Sequence, residues 1–575
     1  MSAVKNICCG IICSCFVQLL HAQNNKGTLK KQFTIRGQIG ASSNFYTSNE
    51  SIYTRPSFAW NANGNFTARI NEVILPFSFV VNQYNKSNSP AHIQFGMSPT
   101  YRWAKLHLGY RYINFSPLTY GGQTFKGIGI ELNPKQFRFS AFYGRLNKAF
   151  DEDTVRGRLR APQYSRKGYG FKIGIGNSSR FVDVIYFHAK DDSGSAYNTK
   201  RFIRPQENAV LGSSFKLTLL KKITWTGDMA ISGLIQDLSV NRKNLDSSNK
   251  GLRKFMNNFL HDNQGTFAAY AGQSSLSFYS TKFGSSLSYR RVQPNFKSFG
   301  TPYLLDDIEL ITLSDNFSIA KGKLNISTNL SHQHNNLNNS LPVELQTQVG
   351  NININALISQ QFSVSVNGSG YNLKQKNGNP EIADSFRLSD TVLLKQRVSQ
   401  LNVNPSYYIA KGSQIHFIGG NISLQCLKDK NPATAARTNS NNLSASASYT
   451  LSLTKKGLSF SLNYLFSRYK QEANSYNSNG VTFGTSSQLL KNKNLNIRGN
   501  IGFYSNKFSA AGTQKNYTYA ANVGYNLKRH SFNLFANYVH SQPNNEIINA
   551  VNKTFPHAVA TKNLAGGISY NYSIY

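Results

Sequence analysis

The chain is 575 residues long and carries 63 Lys and Arg against 25 Asp and Glu, a formal net charge of +38, with 40% hydrophobic, 13% aromatic and only 15% charged residues. That aromatic content excludes a disordered chain, and a single near-helix-length apolar run at the very N-terminus excludes a bundle of membrane-spanning helices. A soluble chain of this length would normally divide into domains, and no linker divides this one.

Lys5 precedes a mostly apolar, uncharged stretch over residues 7–20, followed by His21, Ala22 and Gln23. This reads as a secretory signal peptide, residues 1–22, cleaved after Ala22 with Leu20 at the −3 position. The run is shorter than the roughly 20 residues a spanning helix needs. A retained membrane anchor and a lipoprotein signal are the other readings, the latter opposed by Cys8, Cys9, Cys13 and Cys15 lying inside the apolar run. Cleavage leaves Cys426 as the one cysteine, so the exported chain has no internal disulfide. A short segment, 23–32, then leads into a single domain over 33–575.

From Phe33 onward the chain alternates. Leu458, Phe460, Leu462 and Tyr464 are interleaved with Ser459, Ser461 and Asn463, and Leu324–Ser327, Ile352–Asn355, Phe362–Asn367 and Leu495–Ile501 follow the same rule. Successive strand residues point to opposite faces, so each stretch has one apolar and one polar face. The polar face is mostly Ser, Asn, Gln, Thr and Gly, not the charged surface of a soluble sandwich. The segments run about 9–14 residues, which suits tilted strands crossing a bilayer better than the globular mode of about 5–6.

Twenty-six strand centres can be placed, from Arg36 to Ser569. Connections after even-numbered strands are tight, as at 70–72, 133–135, 320–323 and 454–457. Those after odd-numbered strands are usually longer, as at 147–168, 191–208, 239–265, 374–396 and 541–562. The expected fold is therefore all-β: a transmembrane antiparallel up-and-down barrel of about 26 strands, an even number between 22 and 28, with short periplasmic turns and long extracellular loops.

With this pattern on the page, the chain resembles the Gram-negative outer-membrane β-barrel proteins over essentially its whole exported length, as a porin-like large barrel of no specific member family. The resemblance implies export through the cleaved signal peptide, outer-membrane lipid as the surrounding medium, and the barrel-assembly machinery as a partner during biogenesis. It also implies a C-terminal strand with a terminal aromatic. Here Ile568, Tyr570, Tyr572 and Ile574 form the apolar face, and Tyr575 follows one residue out of phase. Only 23–32 precede the first strand, too few residues for the plug domain of TonB-dependent transporters. Autotransporters and lipopolysaccharide-export barrels usually carry a separate soluble domain, for which no stretch is free.

No linked Ser, His and acid constellation is evident, and the chain is expected not to be an enzyme and to need no cofactor. His332 and His334 would share a strand face, a spacing that suits a metal, but no third ligand is evident, and a polar pair near the extracellular rim is the plainer reading. Arg36, Arg111, Arg138 and Arg498 fall on the polar faces of their strands and so are expected to line the lumen, where basic groups favour anions. The competing reading pairs them with lumen carboxylates such as Asp183 and makes them braces of the wall. Basic pairs in the tight turns, such as Lys221 with Lys222 and Lys455 with Lys456, are expected beside periplasmic headgroups. Nucleic acid is excluded as a partner by export and by this placement.

In the longer loops, Asp151, Glu152 and Asp153 adjoin Arg156, Arg158, Arg160, Arg166 and Lys167. Asp306, Asp307 and Glu309 form a second acidic spot, and Glu381, Asp384 and Asp390 a third. Each reads as a calcium or sugar site or as a solvated loop end. Residues 252–261 read as a short amphipathic helix, folded into the lumen as a constriction or covering a rim. Two functions follow: a channel or transporter for polar, anionic solutes, or a non-conducting platform for a surface adhesin or a secretion partner, its lumen closed by its own loops. An open lumen lined by Arg and Asn favours the first, and a lumen packed with Tyr and Phe from the loops favours the second.

Overall fold

A computed structural model describes residues 33–574 apart from 50–55, 84–92, 152–161, 197–202, 240–249, 261–265, 380–393, 472–473, 491, 510–511 and 544–559. Residues 1–22, read from the sequence as a signal peptide, Tyr575, Glu152 to Arg160 and the acidic residues Glu381, Asp384 and Asp390 lie outside the described residues.

Twenty-seven strands form one sheet. They are β1 (Phe33–Ser48), β2 (Phe58–Ile70), β3 (Val73–Asn82), β4 (Ile93–Met97), β5 (Thr100–Tyr101), β6 (Ala104–Tyr112), β7 (Thr124–Leu132), β8 (Phe137–Asn147), β9 (Ser165–Gly176), β10 (Arg180–Asp192), β11 (Glu207–Leu219), β12 (Ile223–Ile235), β13 (Thr266–Tyr279) and β14 (Phe283–Val292). Then come β15 (Ile308–Ile319), β16 (Leu324–His334), β17 (Val343–Leu357), β18 (Phe362–Asn377), β19 (Lys395–Lys411), β20 (Gln414–Asp429), β21 (Ser440–Leu453), β22 (Leu458–Gln471), β23 (Ser475–Leu489), β24 (Leu495–Phe508), β25 (Gly512–Leu527), β26 (His530–Pro543) and β27 (Thr561–Ile574).

β4 and β5 are two pieces of one crossing, since both pair with β3 on one side and β6 on the other. Pro99 sits in the break between them, where a missing N–H costs no ladder bond. The barrel thus has 26 crossings. Successive crossings pair antiparallel, and β1 closes the ring on β27, from Gly37 opposite Ile574 to Ser48 opposite Asn563. Closure satisfies every backbone edge, which a sheet in lipid requires.

The two ends of the barrel differ. Turns at one end span two to five residues, such as 71–72, 102–103, 412–413 and 528–529. Asn71, Lys135, Lys221, Lys321 and Lys528 hold φ between 50° and 57° in these turns, the left-handed geometry that matches the twist of a tight hairpin. Connections at the other end reach thirty residues at 236–265, although 472–474 and 509–511 are as short as the opposite turns. Strands also run longer than the sequence suggests, up to 17 residues in β19, so parts of the wall extend beyond a bilayer-spanning length.

Facing is read directly along β10. Val182 and Val184 are 60% and 52% exposed on the outside, while Asp183, Ile185 and Phe187 are buried on the inside. The outward faces of the other strands are likewise apolar, with Ile173, Ile175, Leu276, Leu462 and Ile568 exposed. An apolar exterior over the whole circumference is stable only against lipid.

Candidate functional site

The enclosed space of a barrel is where its chemistry sits, and the lumen here has two dissimilar walls. From β6 to β15 the inward face is covered. The connection 113–123 folds inside, burying Ile113, Phe115, Leu118 and Tyr120 against Phe125, Phe142, Phe187 and Val210. Connection 293–307 joins it, placing Phe296 in the same cluster, with Phe299 and Leu304 packed against it. Gly121 N donates to Gly300 O at 3.0 Å, and Ser298 Oγ donates to Thr119 O, so the two loops bind each other. Asn208 anchors them to the wall. Its Nδ2 reaches Ser232 Oγ and Lys297 O, both at 3.0 Å, and its Oδ1 accepts from Phe299 N at 3.0 Å.

Three carboxylates in this sector are held by cations, while Asp228 and Arg290 share the neutral Gln273. Asp183, almost fully buried, takes a two-pronged contact from Arg138 at 2.8 and 2.9 Å and lies 4.0 Å from Lys172. The Arg138 guanidinium also stacks 4.1 Å over Phe181. Asp191 is held by Arg166 at 2.7 and 2.9 Å, and Arg166 in turn covers Phe299 at 3.5 Å. Glu131 sits between Lys105, at 3.1 Å, and His107, at 2.7 Å. Planar guanidinium forks on carboxylates give the most directional of these contacts.

From β16 round through β27 to β2 the inward face is different. It carries Asn329, Asn351, Asn353, Asn367, Asn402, Asn421, Ser446, Ser461, Asn522 and Asn65, joined by short ladders. Asn421 Nδ2 donates to Asn404 Oδ1 at 2.6 Å, Ser365 Oγ to Asn355 Oδ1 at 2.7 Å, and Asn522 Nδ2 to Asn533 Oδ1 at 2.9 Å. A recess of about 510 Å³ lies among Asn325, Asn355, Ser365, Asn404 and Asn421. No residue of the buried aromatic cluster comes from this part of the chain; all lie between Ile113 and Ile308.

The four arginines singled out from the sequence all sit on inward faces but divide between these walls. Arg138 is a brace on Asp183. Arg111 donates to Ser78 Oγ at 2.9 Å and to Gly96 O, which ties β6 to β3 and β4. Arg36 and Arg498 are exposed to the lumen, each the fourth residue of its strand counted from the short-turn end, and neither pairs with a described carboxylate. Arg69, which sequence reasoning passed over, is a third exposed lumen arginine, on the strand beside Arg36.

His332 and His334 share an outward face near the loop end, with ring centroids 6.2 Å apart. His334 Nε2 is 3.6 Å from Glu309, whose other oxygen takes Arg291. Among the described residues no group of three ligands forms a metal site. The acidic trio is dispersed: Asp306 holds Lys297, Asp307 accepts from the Asn336 and Leu337 amides, and Glu309 faces outward.

The amphipathic helix exists as Lys250–Met256, but it lies neither in the lumen nor across a rim opening. Met256 and Leu260 press on Gly233, whose outward side leaves room for them, and Phe259 stacks 5.8 Å from Tyr186. The helix thus covers the outer wall near the loop end, on the face where Glu207 meets His188 at 2.9 Å and Lys190 at 3.7 Å. At the C-terminus, Ile568, Tyr570, Tyr572 and Ile574 face outward on β27.

This architecture, a closed antiparallel barrel with a lipid-facing exterior and unequal ends, is that of an outer-membrane β-barrel protein. No protein-family model matches the chain, and no curated protein matches it in sequence. Among solved structures it is similar to the P pilus usher (PapC) translocation pore, at 12% identity and a TM-score of 0.37 over 94% of this chain and 99% of that one. The siderophore receptor PirA from Pseudomonas aeruginosa matches at 9% identity and 0.35, over 94% and 80% of the chains. Acinetobacter baumannii OccAB2 matches at 8% and 0.30, over 94% and 98%. At these values the likeness carries nothing about function.

Proposed function

We propose that this protein is an outer-membrane channel through which polar, anionic solutes pass along the hydrophilic wall of β16–β27, β1 and β2, with the aperture narrowed by the two inward loops. The observation that carries this reading is the pairing state of the lumen arginines. Where loops fill the lumen, Arg138 and Arg166 are neutralised by buried carboxylates, and Arg111 and Arg290 are taken up by neutral acceptors of the wall. Along the Asn- and Ser-rich wall, Arg36, Arg69 and Arg498 stand exposed with no described carboxylate beside them. Unneutralised guanidinium groups on a hydrated wall attract anions and raise their local concentration. Export through a cleaved signal peptide and delivery by the barrel-assembly machinery belong to this reading.

The packed loops favour a second reading, a closed barrel that serves as a platform for a surface or periplasmic protein partner. Single-channel recording of the refolded barrel in a planar bilayer, under a salt gradient, separates the two. A channel gives discrete anion-selective steps whose selectivity falls when Arg36→Glu and Arg498→Glu are combined. Silence across many verified insertions would sink the channel and leave the platform.

A further inference from the structure

The apolar outer wall carries basic residues near the loop end, among them Lys374 and Lys376 on β18 and Lys395 on β19, and on β19–β22 four more cluster above an apolar groove. Arg397 and Lys428 are register partners on the outward face. Arg468 and Lys470 lie on the same face two strands away. All four are exposed, and none forms an ion pair with a described residue. No Asp or Glu stands on the described outward face of β18–β23. The nearby Asp429 points inward, where Asn431, Thr434 and Thr438 occupy it and cap the helix Pro432–Thr438.

Like charges directly opposite on a sheet repel. On a lipid-facing wall they are tolerated only near the interface, and most readily beside anions. Beneath the basic groups the surface turns apolar in register: Leu401 pairs with Leu424, Leu424 with Leu443, and Leu443 with Arg468. Between the two sits a recess of about 430 Å³, lined by Leu401, Leu424, Cys426, Leu443, Arg468 and Lys470. At the same height on β1 and β2 the outward residues are Ser43, Phe45, Phe58 and Trp60, with no basic group.

We propose that this patch is a binding site for a single phosphate-bearing lipid of the outer leaflet. Its phosphate lies among Arg397, Lys428, Arg468 and Lys470, and an acyl chain runs down the Leu401, Leu424 and Leu443 groove. Charge complementarity fixes the head, and the apolar row below it requires a tail. The proposal needs only the lipid-facing exterior and stands whether or not the lumen conducts.

Native mass spectrometry of the full folded barrel in detergent tests it, with dioleoylphosphatidic acid, dioleoylglycerol and inorganic phosphate as separate probes. One phosphatidic acid is expected to be retained in strong preference to the diacylglycerol. Arg397→Gln with Lys428→Gln, and separately Arg468→Gln with Lys470→Gln, should each weaken retention about thirtyfold, the two lost basic groups counting roughly equally at an anionic surface. The control pair Lys515→Gln with Lys562→Gln, outward on other strands, should leave it unchanged. Heat-dependent gel mobility verifies that every variant is folded. Equal retention of the diacylglycerol, equal loss in the control pair, or binding of inorganic phosphate as tight as that of the lipid would each overturn the proposal.

Discussion

The wall from β6 to β15 and the wall from β16 round to β2 obey the same outward rule and opposite inward ones. Both present apolar side chains to lipid. Inside, the first buries Phe125, Phe142 and Phe187 under two loops and pairs Asp183, Asp191 and Glu131 with cations, whereas the second exposes Asn, Ser and Arg. A barrel of 26 crossings encloses far more space than side chains alone can fill. The difference teaches that chain folded inward from the rim fills part of this one, leaving the hydrophilic wall to line the space that remains.

The largest effect should come from removing the packing that defines the first wall. Tyr120→Ala with Phe296→Ala deletes two fully buried rings, at a cost of about 3–5 kcal/mol each. The loops should then loosen, with a lower heat-modification midpoint and larger conductance steps. An unchanged conductance would show that these loops do not limit the aperture. Next in size is Asp183→Asn, which strips Arg138 and Lys172 of a buried partner and should cost about 3–5 kcal/mol. Thermal unfolding checks it, and Arg138→Gln should recover part of the loss.

Arg36→Glu with Arg498→Glu should leave that midpoint nearly unchanged, since both side chains are exposed, yet shift the reversal potential toward cations. A matching shift from Lys172→Gln, in the packed sector, would erase the distinction between the walls. The smallest effect lies in the turns. Arg102 holds the Glu72 carboxylate at 2.5 and 3.1 Å, and this hydrogen bond lowers the Glu72 pKa below its ordinary range. A depressed carboxylate stabilises the fold above its unfolded value and loses that contribution as pH falls through the folded one. Glu72→Gln should therefore lower the midpoint slightly at neutral pH, and the gap to the unsubstituted protein should close in acid.

The crossings were legible because alternation is local. Leu462 and Tyr464 announce the outward face of β22, and each of the twenty-six strand centres read from the sequence falls within a strand. The filled wall was not read, because alternation separates in from out without saying what the inward side meets. A signal was present all the same. Val184, Ile185, Tyr186 and Phe187 are apolar on both faces, which a water-facing wall does not need, and the connections carrying Phe115, Tyr120, Phe296 and Phe299 are too apolar to be solvated loops. The pairing of Arg138 was legible as one of two alternatives, since Asp183 stood out among scarce acids. The partners of Glu131 and Asp191 depend on neighbours 24 to 26 residues away and on the register that brings them together.

The seam between β1 and β27 joins the two ends of the barrel's sequence. Asn49 and Lys562, just past the last pairs of that seam, are joined across 513 positions of sequence. Until β27 is made, β1 has hydrogen-bonding partners on one side only, and its free side is a template for any other strand. The two strands lie at opposite ends of the barrel's sequence, so their pairing closes the longest loop of any neighbouring crossings and meets the largest loop-closure entropy. The risk of pairing with the wrong edge therefore sits at these two strands, whose outer edges stay open until they meet.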